Sequence, residues 1–274
     1  MVRRFILIMR KYIKNIILQR NVMFHKDKSP KVVFYHDIGK KWTPMGTSPQ
    51  MFFKHMRVIV ESCKLKVEGE GHMVAFDDGF RGVWEYRDEL EKIVGGVKVI
   101  VFIAVRLVGQ PGYLTWDEIR TLNREYGIDF QSHTWSHQTL AGEMIDESPI
   151  EERTEEWYKR ELVESKTEIE RQLNLWREDV ESCRLKVEGC GEERKRVVVD
   201  ELCFPVGNFS DDVIRRCKAA GYRKVYASYP GNITDDYIQP RCLVQDLGVM
   251  GFKAVLNGGM NPMKNRYLAM HYKK

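Results

Sequence analysis

From residue 31 onward, short β-branched apolar runs alternate with stretches in which apolar residues recur at helical spacing. The runs predict buried strands at 32–35, 73–76, 97–103, 128–131, 197–204 and 224–227. Between them, amphipathic patterns predict helices over 49–61, 82–93, 115–124, 150–177 and 211–220. The fourth helical stretch is rich in Glu and Lys pairs and is interpreted as a solvated surface helix. Alternating strands and helices are typical of an α/β fold with a parallel sheet.

The first thirty residues have a separate pattern. Apolar side chains recur at helical spacing from Phe5 to Ile17, and Lys or Arg fills much of the remainder. This predicts a basic amphipathic helix within 1–30, ahead of a folded domain over 31–274. The helix suits an anionic membrane surface or the surface of a domain or partner subunit, and the pattern favours neither. Its apolar run is too short for a signal peptide or a spanning helix.

Composition narrows the class of protein. Hydrophobic residues make up 43% of the 274 residues and charged residues 30%, which is typical of a globular protein with a substantial core. The net charge of +5 is too small for a dedicated nucleic-acid binder. The 6 cysteines form no CxxC pair and are interpreted as reduced thiols. Together with the missing secretion signal, they predict a cytoplasmic protein.

Two adjacent carboxylates, Asp77 and Asp78, directly follow the predicted strand 73–76. The carboxyl ends of parallel strands are where catalytic residues collect in strand–helix barrels. Gly79 permits the sharp turn that would let the two carboxylates take different roles. Taken alone, the Asp-Asp-Gly sequence is more typical of an ordinary turn or helix cap than of a catalytic site.

Two histidines follow another predicted strand end. His133 and His137 are four residues apart, a spacing that puts both imidazoles on one side of a helical turn, where they could bind one metal ion. Two His and one Asp would leave coordination positions open, as in a hydrolytic site that holds a water. The alternative is a pair of solvated surface histidines.

Two further strand ends carry candidate chemistry. The strand 32–35 ends in His36 and Asp37, where the imidazole could act as a general acid and Asp37 could hold it. The strand ending near Phe204 runs into Pro205, Val206 and Gly207, a turn that can expose a backbone N–H to an oxyanion. Each motif alone is compatible with a structural turn.

Taken together and in this order, these motifs resemble the polysaccharide deacetylases of carbohydrate esterase family 4, the NodB-homology domain. The resemblance rests on Phe-Asp-Asp-Gly at 76–79, His-Thr-x-x-His within 133–137 and Phe-Pro-x-Gly at 204–207. An early Tyr35-His36 followed by Ser-Pro-x-x-Phe at 48–52 is similar to the circularly permuted branch that deacetylates poly-β-1,6-N-acetylglucosamine. The resemblance covers about residues 31–257.

The resemblance implies a distorted (β/α) barrel and a metal-dependent N-deacetylase acting on an N-acetylated carbohydrate. In that family pattern, Asp78, His133 and His137 would bind a divalent metal. Asp77 would be the general base that activates water, and His36 the acid that protonates the leaving amine. Zinc is the expected metal, and cobalt, nickel or iron suit the same ligands.

The remaining family features are less complete in this chain. Pro205, Val206 and Arg241 are the candidates for the oxyanion and substrate-binding groups, and Arg241 is also the candidate for the residue that tunes the base. Val206 stands where the family often has Tyr. The missing secretion signal favours a lipid-linked or nucleotide-linked sugar precursor, handled at the inner membrane face. Another metal-dependent C–N hydrolase, such as a linear amidase, or a catalytically silent carbohydrate-binding protein remain the alternatives.

Overall fold

The structure is a computed structural model that describes residues 32–39, 46–63, 72–94, 96–141, 152–184, 196–228, 236–245 and 247–257. The amphipathic helix expected in 1–30 lies outside the described residues. No helix within the described ranges is long and apolar enough to cross a lipid bilayer.

Seven parallel strands close into a barrel, which confirms the predicted fold class. The strands are β1 (Val32–Tyr35), β2 (Asp37–Ile38), β3 (Gly46–Thr47), β4 (Met73–Phe76), β5 (Lys98–Ile103), β6 (Asp129–Ser132), β7 (Glu201–Cys203), β8 (Lys224–Ala227) and β9 (Ile238–Leu243). The barrel order is β1-β4-β5-β6-β7-β8-β9, and β9 pairs with β1 to close it. Strands β2 and β3 form a separate pair. Closure therefore depends on β9, a strand that the apolar pattern did not predict.

Helices cover the outside of the barrel. They are α1 (Pro49–Cys63), α2 (Gly82–Glu85), α3 (Arg87–Val94), α4 (Trp116–Tyr126), α5 (Glu155–Lys159), α6 (Ser165–Arg184), α7 (Asp211–Ala219) and α8 (Val249–Leu256). The helix predicted over 82–93 is two helices with Tyr86 between them. A π-helical turn over 160–164 joins α5 to α6.

The barrel strands bury both of their faces, as strands of a parallel barrel do. Alternate side chains point inward and form a central cluster of Val32, Phe34, Ala75, Ile100, Phe102, Cys203 and Tyr226. The intervening side chains, including Val33, Val74 and Val101, pack against the helices. This two-sided burial explains why the strands are continuous apolar runs in the sequence.

Two further predicted elements differ in the structure. The strand predicted over 197–204 is confined to Glu201–Cys203. The stretch predicted as a solvated surface helix over 150–177 has a buried face that includes Trp157, Leu162, Ile169 and Leu173. Its many charges suggested full exposure, but one apolar stripe packs against the barrel.

Candidate metal centre and active site

The two carboxylates at the end of β4 are separated by a sharp turn. Asp77 continues the strand, since its backbone N–H donates to the carbonyl of Tyr35 at 3.0 Å. Asp78 then adopts a left-handed conformation with φ of 71°, and Gly79 follows with φ of 80°. A Cβ on Gly79 would approach Ile103 Cγ2 to 2.9 Å, so this position requires glycine. The turn lets the neighbouring carboxylates make separate sets of contacts.

His133 and His137 both bring a ring nitrogen to Asp78. The Nε2 atoms of His133 and His137 lie 3.3 Å and 2.9 Å from Asp78 Oδ1. The ligand atoms of these three residues all lie within 4.8 Å of one another. The histidines follow β6 in a loop, and they do not share a helical turn as predicted. Positive φ values of 71° at Thr134 and 66° at His137 fold the loop so that the rings converge.

The hydrogen bond at Nδ1 of His133 determines where the ring carries a proton. His133 Nδ1 lies 2.8 Å from the backbone carbonyl of Cys203. A carbonyl can only accept, so Nδ1 carries a proton, and in the neutral ring Nε2 is left to act as a metal ligand. A hydrogen bond from the ring nitrogen on the side away from the metal orients metal-binding histidines in this way.

These residues fit a divalent metal ion. Asp78 Oδ1 is buried and has no hydrogen-bond partner of acceptable geometry among the residues that the structure describes, although two imidazole nitrogens face it. Burial alone would raise the pKa of Asp78, but the imidazoles of His137 and His133 hold it well below the usual value. A buried carboxylate facing two imidazole nitrogens is a donor set suited to zinc and related ions.

Asp77 is held by Arg241 across the barrel. Arg241 Nη1 and Nη2 donate to the two carboxylate oxygens at 2.6 Å and 2.8 Å. Burial would raise the pKa of Asp77, but the Arg241 guanidinium lowers it, with smaller contributions from His133 and His36. The same pairing overcomes burial and raises the pKa of Arg241. Asp77 is therefore a carboxylate that stays ionised in the interior.

Arg241 lies inside the barrel and is fully buried. Its guanidinium lies over the Phe34 ring, 4.2 Å from the centroid. Both terminal nitrogens bind Asp77. The candidate roles of Arg241, in tuning the base and in binding the oxyanion or substrate, stay predictions.

A second group of potential metal ligands, Asp77, His133 and Cys203, shares one histidine with the first. Cys203 Sγ lies 3.9 Å and 4.0 Å from the two oxygens of Asp77. Burial raises the pKa of this thiol well above its usual value. Because Arg241 already places a positive charge on Asp77, a cation is better accommodated by Asp78, His133 and His137.

His36 lies at the end of β1, close enough to Asp77 to contribute to lowering its pKa. Its Nδ1 donates to Gln245 Oε1 at 3.0 Å. Asp37, the partner expected from the sequence, instead accepts the backbone N–H of Gly82 through Oδ1 at 3.2 Å. A Cβ on Gly82 would approach Asp37 Oδ1 to 2.2 Å, so this contact requires the glycine. Gln245 was not singled out, because its role depends on a contact across 209 residues.

The turn after β7 places Pro205 and Val206 next to Cys203, whose carbonyl binds His133. Pro205 is buried and Val206 is 36% exposed. Val206 adopts φ of 61° and ψ of −10°, which is rare for a β-branched residue. Strained backbone of this kind clusters at active sites and ligand-binding turns.

An aromatic pair that no sequence motif indicated flanks the carboxylates. Phe80 and Tyr113 stack with ring centroids 4.7 Å apart and join through an isolated antiparallel bridge. Burial and the charge of Asp78 raise the pKa of Tyr113. The stack places an aromatic surface beside the carboxylates, whereas the turn after β7 carries the aliphatic Val206.

Comparison with solved structures gives proteins of the same fold. A polysaccharide deacetylase from Bacillus cereus has a TM-score of 0.63 at 18% identity, over 84% of this chain and 69% of that one. The Streptococcus pyogenes deacetylase PplD has a TM-score of 0.61 at 15% identity, over 85% and 99% of the two chains. IcaB from Ammonifex degensii has a TM-score of 0.57 at 15% identity, over 84% and 97%.

Sequence comparison identifies the family. No curated protein has significant sequence similarity to this chain. Residues 66–225, more than half of the chain, match the polysaccharide deacetylase family. The matched range contains both carboxylates at the end of β4, both histidines after β6 and the turn after β7. The chain therefore belongs to the polysaccharide deacetylase family, whose members are hydrolases of C–N bonds.

Proposed function

We propose that this protein is a metal-dependent hydrolase that removes N-acetyl groups from an N-acetylated sugar in a polysaccharide or its precursor. The observation that carries the proposal is the convergence of Asp78, His133 and His137 beside an ionised, buried Asp77. An amide is a poor electrophile, so its hydrolysis needs an activated water and a protonated leaving amine. The site contains candidates for both tasks.

Asp78, His133 and His137 would hold the metal. A divalent ion bound there would polarise the acetamide carbonyl and lower the pKa of water toward neutrality. Asp77 would accept the proton from that water. Both of its oxygens accept from Arg241, but a carboxylate has about four lone-pair sites, so acceptor capacity remains for water. The lowered pKa of Asp77 keeps the carboxylate ionised near neutral pH.

His36 would donate a proton to the nitrogen as the C–N bond breaks. The hydrogen bond from Nδ1 to Gln245 fixes the ring and leaves Nε2 as the atom that can deliver the proton. His36 and Asp77 lie on neighbouring strand ends and can act on opposite sides of the amide. This division of roles follows the family pattern described above.

The turn at Pro205 and Val206 would support the developing oxyanion through a backbone N–H. Its strained conformation at Val206 is consistent with a backbone that is held for function. Phe80 and Tyr113 offer an apolar ring face of the kind that packs on sugars. Zinc is the proposed metal because two imidazoles and one carboxylate suit it.

Acetate release tests the proposal. The purified protein is stripped with a chelator, and then zinc or cobalt is restored in the presence of N-acetylglucosamine oligomers or a UDP-linked N-acetyl sugar. We expect no acetate from the stripped protein and acetate after metal is restored, and the active substrate separates polymer from precursor. A small amide screen run in parallel detects a linear amidase. Stoichiometric metal binding without any released product would contradict the enzymatic proposal and favour a silent carbohydrate-binding protein.

A further inference from the structure

A buried carboxylate on the helix behind the histidine loop contacts that loop and has no role in the proposed chemistry. We infer that Glu161 is a positioning residue that holds the backbone between His133 and His137 in its ligand-presenting shape. The inference rests on the proposed function, because it assigns a role towards the metal centre. The family match over residues 66–225 includes Glu161 but assigns it no role.

The contact is direct. Glu161 Oε2 accepts the backbone N–H of Trp135 at 3.0 Å and that of Ser136 at 2.8 Å. Glu161 is fully buried. Hydrogen bonds from N–H groups to an ionised carboxylate are shorter and stronger than those to neutral acceptors. One carboxylate oxygen therefore fixes two consecutive peptide units of the loop.

A break in helix geometry brings this side chain to the loop. Between α5 and α6, the N–H of Ser165 donates to the carbonyl of Arg160, five residues earlier in the chain. This wider π turn contains Glu161. Single π turns within α-helices occur frequently at functional sites. Arg160 lies at 3.4 Å from Glu161 Oε1 and partly balances the buried charge.

The same helix contacts the loop through a second group. Ser165 Oγ lies 3.2 Å from Ser132 Oγ, which accepts the N–H of Thr134 at 3.2 Å. Thr134 Oγ1 in turn accepts the N–H of His137 at 3.1 Å. Every peptide N–H from residue 134 to residue 137 thus has a side-chain acceptor. Two of the four are bound by Glu161.

The loop needs such support because its shape is unfavourable. Thr134 and His137 both have positive φ, a conformation that non-glycine residues adopt only when surrounding contacts hold them there. Relaxation of Trp135 and Ser136 would move His137 relative to His133. Loss of the Glu161 contacts should therefore weaken metal binding more than it weakens the fold.

The test compares Glu161→Gln with Glu170→Gln in the full chain. Glu170 is on the same helix and also accepts a backbone N–H, from Val199 at 2.9 Å, at a place away from the histidine loop. Zinc affinity is measured by competition with a chromophoric chelator. Amide hydrogen exchange of Trp135 and Ser136 and thermal unfolding are measured on the metal-free proteins.

We expect Glu161→Gln to raise the zinc dissociation constant about tenfold and Glu161→Ala up to about 100-fold, the range seen when metal-supporting contacts are lost. Exchange of the two amides should accelerate in Glu161→Gln, whereas Glu170→Gln should leave both readouts close to wild type. If Glu161→Ala does not fold, the isosteric Gln variant carries the test.

Equal zinc affinities for Glu161→Gln and Glu170→Gln would overturn the inference, as would unchanged amide exchange. Wild-type protein that binds no zinc would overturn both the inference and the proposed metal centre. Wild-type protein that binds zinc but releases no acetate would overturn the deacetylase proposal alone, because the zinc and exchange comparison does not depend on turnover.

Discussion

Removing Arg241 should leave a negative charge in the barrel without its partner. In Arg241→Met, the side chain keeps much of its volume against Phe34, and Asp77 loses both of its guanidinium hydrogen bonds. Each hydrogen bond to a charged group contributes about 1.5–3 kcal/mol. Removing one partner of a buried ion pair costs about 3–5 kcal/mol. We therefore expect the free energy of unfolding at pH 7 to fall by about 4 kcal/mol.

The loss should depend on pH. In the wild type, Arg241 lowers the pKa of Asp77. The pair therefore stabilises the protein at pH values above the unfolded-state pKa of Asp77, and this stabilisation is lost as the pH falls through the lower, folded-state pKa. In Arg241→Met, burial acts without the guanidinium and raises the pKa of Asp77. The unpaired charge on Asp77 therefore destabilises the variant at high pH, and this destabilisation disappears once the Asp77 carboxyl is protonated. The difference between variant and wild type should shrink as the solution is acidified from pH 7.

Urea unfolding followed by circular dichroism measures both effects. Arg216→Met is the matched control, because Arg216 makes a similar paired contact with Glu155 at the surface, where its loss should matter far less. Adding Asp77→Asn to Arg241→Met removes the unpaired charge and should recover a large part of the stability. A loss of stability that neither shrinks with acid nor recovers in the double variant would show that Arg241 does not stabilise an ionised Asp77.

Three further predictions concern the site residues and the N-terminal segment. Asp77→Asn should abolish acetate release and keep stoichiometric zinc, whereas His133→Ala should lose both, as measured by acetate assay and metal analysis; full activity in either variant would contradict the assigned roles. Gln245→Ala removes the acceptor that fixes His36 Nδ1, so kcat for acetate release should fall while zinc stays bound; an unchanged kcat would contradict a positioned His36 as the acid. Deleting residues 1–30 should release the protein from anionic liposomes in a sedimentation assay and preserve turnover; equal binding by the truncated form would remove the membrane hypothesis.

Local pattern was sufficient for much of the barrel. Strands such as β1, β4 and β8 were predicted with their observed limits, because each is a short β-branched or aromatic run buried on both faces. Strand β9 was missed. It contains Pro240, which argues against a strand, and Arg241, a charge where an apolar residue would be expected. Only closure of the barrel against β1 makes this segment a strand.

The charge pattern gives the wrong prediction for a side chain whose burial depends on contacts with a distant segment. Glu161 lies in a stretch whose many charges indicate a solvated helix, yet its side chain is fully buried. The π turn and the backbone N–H groups of Trp135 and Ser136 account for that burial. A single sequence does not show which carboxylate in a charged helix faces two unpaired N–H groups.

Local sequence pattern is enough to place the candidate side chains at the strand ends, among them Asp77, Asp78, His133 and His36. That information is local, since a strand, its end and the turn residue that follows are neighbours in the chain. Tertiary structure alone decided what holds them: Arg241 is 164 residues from Asp77, and Gln245 is 209 residues from His36. These contacts exist because parallel strands far apart in sequence become adjacent when the barrel closes, and no local periodicity encodes that adjacency.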